Sequence, residues 1–224
     1  MTIVKICGIT TLDDALIAAG AGAELLGFNF YPESPRYLSP EEARAITDSL
    51  RQQMGERCPV LVGVFVNETA ERIAAILQEA GLDYAQLSGD EPVEVLAVLG
   101  GRAFKAIRPR DRNEAWREAE RYGRYGPQDE RVPSLLVDAY HRKLYGGTGH
   151  QTGVEVALAA REQAARVMLA GGLTADNVGD RIRAVRPWGV DVASGVEGDT
   201  PGRKDESCLR AFMAAVRVAD ATVS

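Results

Sequence analysis

Cysteine and histidine are scarce in this chain, with three and two among 224 residues. Cys7, Cys58 and Cys208 are odd in number and widely separated, which excludes a disulfide framework. So few histidines, none beside a thiol pair, give no zinc-ligand spacing, so no metal is expected. A reducing compartment fits. Basic residues are outnumbered as well, 26 Lys and Arg against 32 Asp and Glu, for a net charge of −6. That balance argues against non-specific attraction to nucleic acid or to an anionic membrane. No apolar run approaches the roughly 20 residues of a membrane-spanning helix. Nor does any segment read as a charged leader followed by an apolar stretch and a small-residue cleavage site. The expected location is the cytoplasm. None of these absences excludes a phosphorylated small molecule, because backbone N–H groups hold a phosphate locally whatever the global charge.

What the chain does have is alternation. Short β-rich runs are predicted at Ile3 to Cys7, Glu24 to Phe30, Val60 to Val66, Tyr84 to Leu87, Ala103 to Ile107, Ser134 to Ala139, Arg166 to Ala170 and Gly189 to Ala193. Most are near-continuous apolar runs, the pattern of parallel strands covered by helices. Helix-compatible stretches follow each of them, from "TLDDALIAAGAGA" after the first to "DESCLRAFMAAVRV" after the last. Ser39-Pro40-Glu41-Glu42 supplies a cap, a proline at the first helical position and a glutamate three residues after the cap. Asn67-Glu68 and Thr174-Ala175-Asp176 read as further helix starts.

Strict β-α alternation with short links calls for right-handed crossovers and a parallel sheet. At about 28 residues per unit, 224 residues hold eight units, near the lower size limit of a (β/α)8 barrel. The rival, an open doubly wound sheet, lacks support: no G-x-G-x-x-G follows the first strand and no composition break divides the chain. The expectation is α/β, a single (β/α)8 TIM barrel domain spanning residues 1–224, with its active site at the C-terminal ends of the strands. The polar segment "RYGRYGPQDERVP" precedes the sixth strand and reads as a surface connection on the opposite face.

The barrel converts the strand list into candidate site residues. Ile3, Lys5 and Cys7 share one face by two-residue alternation, with Cys7 at the strand's upper end and Lys5 one layer lower, inside the barrel. A free cysteine often serves as a small buried hydrophobe. A lysine beside it would lower its pKa and favour a basic thiolate. Asp191, in "GVDVASG", is the acid at the right depth to pair with Lys5. Asp138 closes "SLLVDAY": it is either a structural hydrogen-bond acceptor or a partly desolvated acid able to donate a proton. Gly171 and Gly172 in "LAGGLTADNV", with Ser194 and Gly195 in "VASGVEGDTPGRKD", follow the seventh and eighth strands. Loops at those positions form the usual phosphate site of this fold. Arg36, in "FYPESPRYLS", is either a solvated charge at a turn or a bidentate partner for a substrate carboxylate. The glycine-rich "YHRKLYGGTGHQTG" after the sixth strand reads as a mobile cover.

Taken in order, "VKICGIT", "GFNFYPESPRY", "VGVFVN", "QLSGDE", "FKAIR", "LLVDA", "GGTG", "LAGGLTADNV" and "GVDVASGVE…PGRKD" resemble the phosphoribosylanthranilate isomerase family of tryptophan biosynthesis. The resemblance implies a cofactor-free (β/α)8 barrel enzyme that performs an Amadori rearrangement, turning an N-linked phosphoribosyl aminoaldose into a 1-amino-1-deoxyketose. It implies Cys7 as general base, Asp138 as general acid, Arg36 on the anthranilate carboxylate, and backbone groups of Gly171, Gly172, Ser194 and Gly195 on the 5-phosphate. The expected partner is one small phosphorylated substrate, handled by a monomer or homodimer. Two departures stand out: Ser88 where the family commonly has histidine, and "HQTGVEVA" after "GGTG". Two rival readings remain. One is another phosphosugar barrel of the same pathway, such as indoleglycerol-phosphate synthase, which needs a lysine acid and a glutamate at other strand ends. The other is a non-catalytic binder of phosphate ligands.

Overall fold

Parallel strands buried on both faces must be apolar almost throughout, and the strands of this chain are. A computed structural model describes residues 1–138 and 153–223. Its strands are β1 Ile3–Cys7, β2 Leu25–Asn29, β3 Val60–Phe65, β4 Tyr84–Leu87, β5 Ala103–Ile107, β6 Leu135–Val137, β7 Val167–Leu169 and β8 Gly189–Val192. The helices among the described residues are α1 Leu12–Ala21, α2 Pro40–Met54, α3 Ala70–Glu79, α4 Val93–Val98, α5 Arg112–Gly123, α6 Val154–Arg161, α7 Val178–Val185 and α8 Glu206–Val223. The strands are parallel and close in chain order, with β1 paired to both β2 and β8. The result is a (β/α)8 barrel.

Alternation along the strands divides the core in two. Leu25, Val62, Phe104, Ala106, Leu136 and Met168 pack together inside the barrel. Their strand neighbours Leu26, Ala103, Leu135 and Val167 join the larger layer between sheet and helices, where Ile73, Leu209 and Phe212 are fully buried. Burying each such side chain contributes about 1.5–3 kcal/mol. Tyr84, Gln86 and Ser88 follow the same two-residue period, and Gln86 and Ser88 are buried and joined by a 3.1 Å hydrogen bond.

The element ends differ from the sequence expectations in instructive places. β6 is shorter than Ser134 to Ala139 and β7 shorter than Arg166 to Ala170. Residues just past their ends bond beyond the ladder: Asp138 N–H donates to the Ile107 carbonyl and Ala170 N–H to that of Val137. Ala139 lies outside the described residues. α2 starts as expected, with the reciprocal Ser39–Glu42 capping box and Pro40 in the first turn. α3 does not start at Asn67-Glu68. Thr69 caps it instead, while Asn67, at φ 55°, exchanges bonds with the Asp90 N–H and the Glu91 carboxylate across the next loop. α7 likewise begins after Asn177, whose side chain is spent on the preceding turn, accepting from Thr174 N–H and donating to the Gly172 carbonyl.

The segment "RYGRYGPQDERVP" is more than a surface connection. Val132 is fully buried and joins the cluster inside the barrel. Asp129 accepts from the Tyr84 hydroxyl at 2.9 Å, and the Arg166 guanidinium donates to the Val132 and Pro127 carbonyls. The segment therefore helps to close the lower end of the barrel, at the start of β4.

Candidate active site

Cys7 ends β1 at the upper rim, and the register brings β8 alongside, with Lys5 opposite Asp191. Lys5 has no exposed surface and its Nζ donates to Asp191 Oδ1 at 2.8 Å, as the alternation argument expected. The absent side chain of Gly27, on β2, makes room for this group. A Cβ there would stand 2.9 Å from Cys7 Sγ and 3.1 Å from Lys5 Nζ. Thiol and ammonium therefore crowd the same spot from one strand.

Lys5 lowers the Cys7 pKa, as expected, but burial decides the net direction. Burial pushes the thiol up, and the attraction of Lys5 and Lys204 offsets only part of that, with the Asp191 charge working against them. The thiol ends above its ordinary value. Lys5 moves the same way: burial would lower it, but the Asp191 carboxylate and the Cys7 sulfur together hold it above the usual lysine range. Desolvation was the missing quantity, because sequence shows which charges are near and not how little water reaches them.

Asp138 stands immediately after β6 and is half-buried. It follows Leu136, which lies inside the barrel, at the two-residue spacing that keeps one face. β7 and β8 separate β6 from β1 around the barrel. Cys7, at the end of β1, and Asp138, just past the end of β6, thus lie at one rim three strand positions apart, with the β7 and β8 loops on the shorter arc between them.

Those two loops touch. A Cβ on Gly195 would overlap the carbonyl oxygen of Leu173, so the loop after β8 can lie against the loop after β7 only with glycine at this position. Gly171 and Gly172 have φ of 96° and 58°, a region costly for any other residue. The arrangement brings two glycine-bearing loops together at the rim; backbone N–H groups of such loops can hold a phosphate without cationic side chains.

Arg36 reaches this rim from the loop after β2. Its stem lies across Gly8, where a Cβ would overlap Arg36 Cδ, and Gly8 itself sits at φ 77°. The guanidinium is paired: Nε and Nη2 each donate to one oxygen of Glu197 at 2.7 Å. Lys204, whose side chain is fully buried, donates to Glu197 Oε1 at 2.9 Å and to the Ala193 carbonyl at 3.1 Å. Glu197 and Lys204 were missed as site residues. Their signal was present in "GVEGDTPGRKD", but only closure of the barrel carries it to Arg36.

The expected cover, residues 140–153, lies outside the described residues apart from Gly153. No group of His, Cys, Asp and Glu side chains among the described residues has the arrangement of a metal site. No described helix is long and apolar enough to cross a membrane.

Residues 4–215 match the family model described as N-(5'phosphoribosyl)anthranilate (PRA) isomerase. The chain belongs to that family. A relative from Trichlorobacter lovleyi, named N-(5'-phosphoribosyl)anthranilate isomerase, is 43% identical over 210 residues, covering 94% of this chain and 95% of its own. The crystal structure of phosphoribosyl anthranilate isomerase from Thermotoga maritima superposes with a TM-score of 0.83 at 35% identity, over 97% of this chain and 100% of that one. Another phosphoribosyl anthranilate isomerase, solved with reduced 1-(o-carboxyphenylamino)-1-deoxyribulose 5-phosphate, gives a TM-score of 0.79 at 35% identity, again over 97% and 100%. Family, fold and coverage agree, so the activity of this chain is phosphoribosylanthranilate isomerisation in tryptophan biosynthesis.

Proposed function

We propose that the chain carries out this isomerisation with Cys7 as general base and Asp138 as general acid, on a substrate held by its phosphate and its carboxylate. One observation supports the assignment of roles: Cys7 ends β1 and Asp138 follows β6 on the same rim, three strand positions apart, and the shorter arc between them carries the glycine-built loops after β7 and β8. A phosphate bound to N–H groups of Gly171, Gly172, Ser194 and Gly195 places the ribose between the thiol and the carboxyl. The relative solved with a reduced product carries a ligand of this composition, a 5-phosphate at one end and an o-carboxyphenylamino group at the other.

The chemistry then follows from proton positions. Asp138 donates its proton to the furanose ring oxygen, the C1–O bond breaks and the nitrogen lone pair forms an iminium. That cation acidifies the C2 proton, which Cys7 removes. The C2–H electrons form the C1–C2 double bond of an enolamine, and the iminium electrons return to nitrogen. Tautomerisation, with a proton added at C1, gives the aminoketose. The substrate nitrogen is the electron sink throughout. Each proton carrier contributes about 10²–10⁴-fold in rate.

Burial of Cys7 suits this role. A thiol held above its usual pKa is a stronger base once ionised, and Lys5 and Lys204 stabilise the thiolate when it forms. Arg36 takes the anthranilate carboxylate through its remaining N–H groups. The chain works as a monomer or homodimer in the cytoplasm, on one small phosphorylated substrate.

The test is to mix purified protein with freshly generated phosphoribosylanthranilate and follow the loss of its fluorescence. Cys7→Ala and Asp138→Asn each remove nearly all turnover. Full activity in either variant removes that residue from the mechanism.

A further inference from the structure

A guanidinium has two edges that accept a carboxylate in parallel: the side formed by Nε and one Nη, and the end formed by the two Nη atoms. In Arg36 the side edge is taken by both oxygens of Glu197, at 2.7 Å each. The end edge keeps its N–H donors. The side chain of Arg36 is 12% exposed and that of Glu197 5% exposed, so the pair is desolvated and its geometry is tightly defined.

Glu197 is itself held. Lys204 Nζ, without exposed surface, donates to Glu197 Oε1 and to the carbonyl of Ala193, the residue before Ser194. Glu197 and Lys204 also pair as an isolated antiparallel bridge. The loop between them is anchored to the rest of the barrel by Thr10, which donates to the Gly202 carbonyl at 2.5 Å. Asp14 adds a further tie, accepting from the backbone of Lys204 at 3.3 Å. Burial alone would push the Glu197 carboxyl up, but Arg36 and Lys204 together hold it below the ordinary carboxylate value, so it stays charged.

The geometry points to Glu197 as a positioning residue that fixes Arg36 side-on, so that the end edge of the guanidinium is presented to the anthranilate carboxylate, with Lys204 locking the clamp to the loop of Ser194 and Gly195. This rests on the reading of Arg36 as the carboxylate partner and adds a specificity device to it. An arginine with five donors on a flexible stem would otherwise sample several rotamers, and the substrate would have to order it. With Glu197 in place, the arginine that takes the carboxylate is tied through Glu197 and Lys204 to the β8 loop, which also carries Ser194 and Gly195 of the phosphate site. Lys204 also prevents Glu197 from cancelling the Arg36 charge. Lys5, Arg36 and Lys204 face Asp191 and Glu197, which leaves one positive charge in excess near Cys7.

Two ligands distinguish this role from a structural one: reduced 1-(o-carboxyphenylamino)-1-deoxyribulose 5-phosphate, and the same compound made from aniline, without the carboxyl. Binding of both is measured by calorimetry to the wild type, Arg36→Ala, Glu197→Gln and the charge-conserving Glu197→Asp, with thermal melts confirming that each variant is folded. Arg36→Ala weakens the carboxylate ligand roughly 10- to 100-fold, the range of a charge-assisted pair, and hardly affects the aniline ligand. Glu197→Gln and Glu197→Asp each weaken the carboxylate ligand by about tenfold, again selectively. In the Arg36→Ala background neither adds to the loss. If Arg36→Ala is selective and the Glu197 variants weaken both ligands equally, or neither, the positioning role is overturned while the Arg36 reading stands. If Arg36→Ala itself shows no selectivity, both are overturned.

Discussion

Lys5 and Asp191 form an ion pair inside the barrel, Nζ to Oδ1 at 2.8 Å, one layer beneath Cys7. The lysine has no exposed surface and the aspartate side chain is 10% exposed. Two charges taken from water are sustained by each other, so removing one partner leaves the other stranded. Lys5→Met therefore destabilises the fold by about 3–5 kcal/mol in urea unfolding, the range for breaking a buried pair. Replacing both partners with apolar residues, Lys5→Met with Asp191→Leu, restores most of that loss and leaves an enzyme with a crippled base. A Lys5→Met variant as stable as the wild type contradicts the pairing.

The same surroundings set the pH dependence. In the proposed mechanism Cys7 must lose its proton to act, and its thiol lies above the ordinary value because burial outweighs the cations around it. A base with a raised pKa gains activity as pH rises, so kcat/KM of the free enzyme still climbs above pH about 8.5, the ordinary thiol value. Charged groups facing the thiol are Lys5 from its own strand, Asp191 from β8, Lys204 from the loop before α8 and Arg36 from the loop after β2. Lys5→Met takes away the largest of the effects that lower the Cys7 pKa, and moves the limb further up. A pH–rate profile that is already flat below pH about 7 excludes Cys7 as the titrating base.

Gly195 offers a test of the proposed phosphate site that leaves Cys7 and Asp138 alone. An alanine there would overlap the Leu173 carbonyl oxygen, so the loops after β7 and β8 must separate. The proposed phosphate donors of the two loops, Gly171 and Gly172 on one and Ser194 and Gly195 on the other, then move apart. Gly195→Ala raises KM by roughly tenfold or more, the cost of losing one or two good hydrogen bonds to an anion, and weakens competition by inorganic phosphate in parallel. Unchanged KM and unchanged phosphate competition place the phosphate elsewhere.

Much of this was legible from residue order, and the parts that were not share a cause. β1, β4 and β5 run from Ile3, Tyr84 and Ala103 to the predicted last residues because apolar runs bounded by polar turns leave little choice of register. The Lys5–Asp191 pair followed from alternation once closure of the barrel made the first and last strands neighbours. The Arg36–Glu197 pair did not, since both partners lie in loops past the strand ends, where no ladder register relates them. Val132 was hidden by the polar residues around it, although its side chain packs inside the barrel. The lowering of the Cys7 pKa by Lys5 was legible, but the desolvation that outweighs it is a property of the packed structure.

Deuterium at C2 of the substrate ribose tests the division of labour between the two proton carriers most directly. Crippling the base makes C2–H cleavage limiting, whereas crippling the acid makes ring opening limiting, before that bond is touched. The expected result is a large primary isotope effect on kcat in Cys7→Ser and none in Asp138→Asn. The same isotope effect in both variants, or none in Cys7→Ser, contradicts the assignment.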